Sequence, residues 1–354
     1  MFTISLSAYQ AWQRCEQRYS FSYIDKLRQR VKDLAPQRGI LLHEYLATYY
    51  TGLKTGRGAD ESHVTALSEL VERRGAETTA AGNTAFFAGD EALAQEYFGL
   101  MDVVCRIAER YYRARGKGDA ERYDVIMVEE WISTPIIQGV ESRSIIDLVL
   151  RDRLRDLMFL VEHKSTVNVP DSRVRIRDMQ TLLYAAALFE AKGLLIDGTL
   201  WNYLRTKEPS FPYILKNGDI SRAKNLDSTW PVFELAIKEQ GLDPADYNDM
   251  REHLEPRELE VFFPRMEHVI VASPDLLLED YVVTAARIRA RTLEWKHGVS
   301  RPVRSLSRDC TYCPYERLCE AVITGGDPDD LIRLYYEKSG QRDEETTPKE
   351  AISD

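Results

Sequence analysis

Two aliphatic runs in the middle of the chain, each interrupted or ended by charge, set the pattern that the remaining segments follow. Ser144–Leu150 reads Ser-Ile-Ile-Asp-Leu-Val-Leu, a β-branched and aliphatic strand pattern with one carboxylate, Asp147, inside it. Leu157–Lys164 is a second such run that ends in Glu162-His163-Lys164, and the polar connector Arg151–Asp156 predicts that the two pair as a hairpin. Alternate residues of a strand share a face, so Glu162 and Lys164 point one way, His163 points the other, and Asp147 lies on the adjacent strand. Val125–Trp131 predicts an earlier strand with Glu129 and Glu130 inside it, and Ile136–Val140 a continuation of the meander. Thr199–Arg205 is expected to return beside the Glu162 strand, and Leu259–Phe263 is a further short strand candidate.

Helical periodicity occupies the flanks. Ser7-Ala8-Tyr9-Gln10 fits a capping box, followed by Tyr9, Trp12, Cys15 and Tyr19 at helical spacing, an aromatic stripe of the kind that forms core. Pro36–Glu44 opens the next helix and carries His43 within an aliphatic run, where a lone histidine fits a hydrogen-bonded core residue better than a ligand. From Thr51 to about Gly118 the chain is polar and alanine-rich, with periodicity around Val64–Arg74 and Glu91–Tyr112. This reads as a helical insertion without catalytic residues, in which His63 is a surface residue and Tyr111, Tyr112, Arg113 and Arg115 form either a DNA-contacting or a snorkelling face. After the polar connector Ser165–Arg177, a helix presents Gln180 and Tyr184 one turn apart, opposite Leu182, Leu183, Ala186 and Ala187. Leu276–His297 predicts a long helix stopping at Gly298, residues 206–258 show no clear period, and the acidic tail 339–354 is expected to be disordered.

Composition narrows the partners. With 354 residues, 44% of them hydrophobic, the chain can bury a full core, and no apolar run is long enough to cross a bilayer. The start lacks the basic and apolar regions of a signal peptide, so a cytoplasmic protein without membrane contact is expected. A net charge of −10 excludes a general nucleic-acid coat and leaves any such contact to a local basic groove. Arg173, Arg175 and Arg177, just ahead of Gln180, are the candidates, whereas Arg151, Arg153, Arg155 and Arg287, Arg289, Arg291 read as solvated faces. Of five cysteines, Cys105 reads as a packed thiol; Cys15 and the triplet Cys310-x2-Cys313-x5-Cys319 read as ligands, of zinc or of an iron-sulfur cluster, between which spacing alone does not choose.

An acid inside Ile-Ile-Asp-Leu-Val-Leu is costly to bury without a partner or a metal. Two acids on neighbouring strands with a lysine beside them suit metal-assisted phosphodiester hydrolysis. The run Asp147, Glu162-x-Lys164, Gln180-x3-Tyr184 resembles the PD-(D/E)XK nuclease superfamily, in the branch of RecB-like, Cas4-like and AddB-type nucleases. Leu6-Ser7-Ala8-Tyr9 through Cys15 to Tyr19 is similar to the opening of those proteins, with Glu16 where a proline often follows the cysteine. The resemblance implies a restriction-endonuclease-like α/β core, a central mixed sheet flanked by helices, forming one domain over 1–338 with the helical insertion at about 51–118. It implies Asp147, Glu162 and Lys164 as catalytic residues, His43 as a third metal ligand beside Asp147 and Glu162, and Glu129 or Glu130 as weaker candidates. Gln180, Tyr184 and Arg175 would contact DNA. Cys15, Cys310, Cys313 and Cys319 would hold a [4Fe-4S] cluster that staples the chain ends. The implied activity is Mg²⁺- or Mn²⁺-dependent cleavage of DNA, exonucleolytic on single strands or ends, with a helicase or recombination partner; the alternative is a DNA-binding or assembly subunit with little turnover.

Overall fold

The structure is a computed structural model that describes residues 1–30, 34–79, 91–170, 179–269 and 275–338. Among these residues six strands form one mixed sheet: β1 (Phe2–Ser5), β3 (Tyr123–Ile137), β4 (Val140–Asp152), β5 (Leu157–Thr166), β6 (Gly198–Arg205) and β7 (Arg265–Val269), while β2 (Leu27–Gln29) pairs apart with β8 (Tyr336–Lys338). The expected hairpin is β4–β5, antiparallel, and β6 returns parallel to β5. β3 covers one edge of β4; the other is shared between β1, which pairs as far as Arg143, and β5, which pairs from Leu148. The stretch Ser144–Asp147 therefore lies where the edge passes from one neighbour to the next.

Two expectations about strands are corrected. Ile136 and Ile137 end β3 and Val140 opens β4, because Gly139, at φ +79, turns the chain between them. Leu259–Phe263 is no strand: Glu258–Phe262 is a helical turn and β7 follows at Arg265. A strand would send the consecutive Phe262 and Phe263 to opposite faces, whereas both are buried in one cluster.

The first helix, Leu6–Arg14, is capped earlier than the capping box predicts, by Ser5, whose Oγ accepts from the Ala8 amide at 3.2 Å. It breaks at Cys15, which is extended, so Tyr19 falls in the separate helix Glu16–Tyr19. The aromatic stripe is core all the same: Trp12 stacks on Trp295 and Tyr9 meets Tyr281, both from the long helix Asp275–Lys296.

The helices Leu34–Lys54, Ala59–Thr79 and Glu91–Tyr111 build a face of the main core. Tyr45, Tyr49, Tyr50 and Tyr111 are buried against Leu148, Leu150, Phe159 and Val161 of β4 and β5. His63, expected at the surface, is buried: its ring stacks on Tyr112, Nδ1 meets the Tyr45 hydroxyl at 2.8 Å and Nε2 meets Glu109 at 2.6 Å. Tyr111 and Tyr112 are likewise buried, Arg113 pairs with Glu109, and Arg115 donates to the Phe263 carbonyl. The helix Met179–Lys192 covers the opposite face, and the segment without a clear period carries the helices Trp230–Glu239 and Asn248–Leu254 on a cluster of their own. No helix among the described residues is long and apolar enough to cross a membrane.

The β4–β5 turn is pinned by Asp152, which is fully buried. Burial alone would raise its carboxyl, but hydrogen bonds from Arg122, Arg155 and the Leu154 and Arg155 amides hold it well below the usual carboxylate range. Arg151 pairs with Asp156 and Arg153 with Asp124, as solvated arginines would. Removing the shared carboxylate leaves two guanidinium groups facing each other, so Asp152→Ala should lower unfolding free energy by about 3 kcal/mol in urea denaturation. A midpoint within error of wild type would show that the turn is held by the backbone alone.

Candidate active site

The register of the sheet assembles the site. β3 and β4 pair Val128 with Leu148 and Glu130 with Ile146, which sets Glu129 opposite Asp147. β4 and β5 pair as far as Leu148 with Val161, and just beyond that end the His163 amide donates to Asp147 Oδ2 at 3.4 Å, which puts Asp147 and Glu162 on neighbouring strands at the same level. Three carboxylates thus form a row across three strands. Glu129 sits at φ +45, a left-handed conformation that costs a non-glycine residue about 1–2 kcal/mol. Glu130 points away and pairs with Lys192, so of the two glutamates in this strand Glu129 is the one at the site.

Glu162 is almost wholly buried. Its Oε1 accepts from Lys164 Nζ at 2.5 Å and from Gln180 Nε2 at 2.8 Å, and Gln180 Oε1 accepts from the same lysine at 3.2 Å. Oε2 has no hydrogen-bond partner among the described residues. Tyr184, expected beside Gln180 as a DNA contact, is buried among Leu160, Ala187 and Leu188, with its hydroxyl accepting from Gln180 at 3.3 Å. The buried side of this helix is thus Leu183, Tyr184, Ala187 and Leu188; Leu182 and Ala186 are only partly covered.

His43 reaches the site from the helix Leu34–Lys54. Its Nε2 donates to the His163 carbonyl at 3.1 Å, which leaves Nδ1 as the acceptor, 3.6 Å from Asp147 Oδ2. Gly39, one turn earlier, lies close to β5: a Cβ there would stand 2.9 Å from Ser165 Oγ. One atom each from His43, Glu129 and Asp147 lies within 4.8 Å of the others. Glu162 is outside that tight group, its Oε1 turned to Lys164 and Gln180.

Burial is the main electrostatic effect here. It raises Asp147 and Glu162, assisted in Glu162 by the Asp147 charge and opposed in both by Lys164. Glu129, although open to solvent at its outer edge, is pushed up to about 7 by partial enclosure and by Asp147 and Glu162. Burial lowers His43 and so favours the neutral imidazole that a metal requires. A raised carboxyl next to an orphaned carboxylate oxygen is the donor set of a hard divalent cation, whose charge would offset the repulsion.

The cysteines meet elsewhere. Cys15, Cys310, Cys313 and Cys319 line one cavity of about 310 Å³ walled by Arg14, Arg18, Phe21 and Tyr315. Among the described residues no three of these sulfurs lie within 4.8 Å of one another. Cys105 stands apart, half-buried, with its thiol raised by burial. Arg173, Arg175 and Arg177 lie outside the described residues.

Residues 3–320, most of the chain, match the family profile of the PD-(D/E)XK nuclease superfamily, and the chain belongs to that superfamily. It is a class of metal-dependent nucleases, and the α/β fold with its mixed central sheet flanked by helices fits their restriction-endonuclease-like core. No curated protein is a detectable match to the chain.

The raised carboxyls make a prediction for metal-free protein. A folded-state value above the unfolded one stabilises the fold at low pH, and that stability is lost as pH rises towards neutrality. Glu162→Gln removes this loss. In chelator, the advantage of the variant over wild type should grow between about pH 5 and pH 8, by on the order of 2 kcal/mol. A difference that stays constant with pH would mean that Glu162 is not strained by its charge.

Proposed function

We propose that this chain is a divalent-cation-dependent deoxyribonuclease of the RecB-like and Cas4-like branch, acting as an exonuclease on single strands or DNA ends. The observation that carries this reading is the row Glu129, Asp147 and Glu162 beside Lys164, with Glu162 Oε2 lacking a partner among the described residues. Asp147, Glu162 and His43 would hold Mg²⁺ or Mn²⁺, with Glu129 as a fourth donor. Such a cation, when bound, polarises a phosphoryl oxygen and acidifies a water. Lys164 Nζ, shared between Glu162 and Gln180, orients the attacking water or stabilises the charge that develops on the phosphate. Gln180 keeps Glu162 and Lys164 in register, and Tyr184 braces Gln180 from the core. Arg175 remains the proposed phosphate contact. The activity, the single domain over 1–338 and a helicase or recombination partner follow from the branch resemblance, and a cytoplasmic location from the sequence pattern.

Asp147→Ala, Glu162→Ala and Lys164→Ala should each reduce Mn²⁺-dependent digestion of end-labelled single strands at least a hundredfold, about 3 kcal/mol of barrier, with the fold retained. Wild-type digestion by any two of them would sink the assignment.

The same reading places a [4Fe-4S] cluster between Cys15, Cys310, Cys313 and Cys319. What supports this is that all four cysteines line one cavity. Anaerobically purified protein should be brown with about four irons per chain. Cys15→Ala should lose the colour and Cys105→Ala should keep it; one zinc and no iron would overturn the cofactor.

A further inference from the structure

His163, the residue between Glu162 and Lys164, turns away from the carboxylates into the helical side of the core. It is buried, and Tyr50 stacks on its ring at 5.8 Å. Its Nδ1 lies 2.8 Å from Asn202 Nδ2 of β6, and the same amide donates to the Tyr111 hydroxyl at 2.9 Å. Asn202 Oδ1 accepts from Arg265 Nε of β7 at 3.2 Å. Arg265 forms a two-point pair with Asp119 at 2.6 and 2.8 Å, and Tyr50 donates to Asp119 at 2.6 Å.

Each member constrains the next. Arginine only donates, so the Asn202 oxygen must face Arg265, and both amide hydrogens are then committed to Tyr111 and His163. His163 must therefore accept at Nδ1 and carry its hydrogen on Nε2. With the ring fixed, so is the main chain of the same residue. That main chain touches the site on two sides: its N–H donates to Asp147 Oδ2 at 3.4 Å and its carbonyl accepts from His43 Nε2 at 3.1 Å. One peptide position thereby orients two candidate ligands, and it selects Nδ1 as the atom His43 offers.

We propose that the Asp119–Arg265–Asn202–His163 network is a positioning device for the cation site, acting through the residue 163 main chain. The proposal rests on the reading that Asp147 and His43 hold the cation. Partners of ligands that lie one shell out alter metal affinity by about 10–100-fold when removed.

The test is Mn²⁺ titration by calorimetry on full-length protein, with far-UV circular dichroism to establish that each variant is folded. His163→Leu and Asn202→Leu should each weaken Mn²⁺ binding about tenfold and lower kcat with KM for an oligonucleotide unchanged. His163→Asn should recover most of the affinity, because its Oδ1 stands as many bonds from Cα as the histidine Nδ1 and offers the same acceptor. Tyr111→Phe, which removes only a hydroxyl, covers the case in which the leucine variants do not fold, and should weaken binding several-fold. Wild-type Mn²⁺ affinity in folded Asn202→Leu or Tyr111→Phe, or His163→Asn as impaired as His163→Leu, would overturn the proposal. Mn²⁺ binding that Asp147→Ala leaves unchanged would instead overturn the ligand assignment beneath it.

Discussion

Three carboxylates side by side on adjacent strands cannot all be dry and charged without a compensating cation. Burial favours the protonated form of each, repulsion adds to it in Glu129 and Glu162, and Lys164 beside them is shared with a glutamine. The surrounding architecture follows from holding that unfavourable row in place. β4 passes from β1 to β5 at Asp147, which opens the sheet edge there. A left-handed residue in β3 turns a third acid towards the opening. The helix Leu34–Lys54 brings an imidazole to it, with Gly39 packed against Ser165 of β5.

The helical side of the core then has a mechanical task as well as a hydrophobic one. Its tyrosines fill the volume against β4 and β5, and their hydroxyls are satisfied by Asp119, Gly116, Asn202 and His63. An unpaired hydroxyl in that position would cost about 1–3 kcal/mol each, so the polar groups come as a connected set. A buried ion pair of this kind adds little net stability, but breaking it is expensive, which makes it a rigid reference against which β5, β6 and β7 are aligned.

The chain ends are joined by protein contacts around the cysteine cavity. β2 pairs with β8, the Tyr315 hydroxyl donates to the Leu27 carbonyl at 2.6 Å, and Glu16 accepts from the Val303 amide and from Arg291. Cys15 interrupts a helix to face this junction, with the Ser305 amide 3.5 Å from its sulfur. The N-terminal helix is thus docked by contacts of the protein itself.

Strand alternation is covalent, so a period-two reading was enough to place Glu162 and Lys164 on one face and His163 on the other. An acid in an aliphatic strand, and cysteines at close spacing, were legible for the same local reason. Pattern could not choose between Glu129 and Glu130, because alternation leaves open which parity faces the site, and the pairing of β3 with β4 decides it. His63 reads as exposed because its partners all come from other elements: Tyr45 and Glu109 from two other helices, and Tyr112 from the turn that follows the second. Phe262 and Phe263 looked like a strand because two adjacent aromatics carry no period, and only the buried cluster that takes both requires a helical turn. Local sequence determines which atoms a segment can offer and on which side; which of them meet depends on register and packing between segments far apart in the chain, where the energies that decide are set by neighbours a local pattern does not contain.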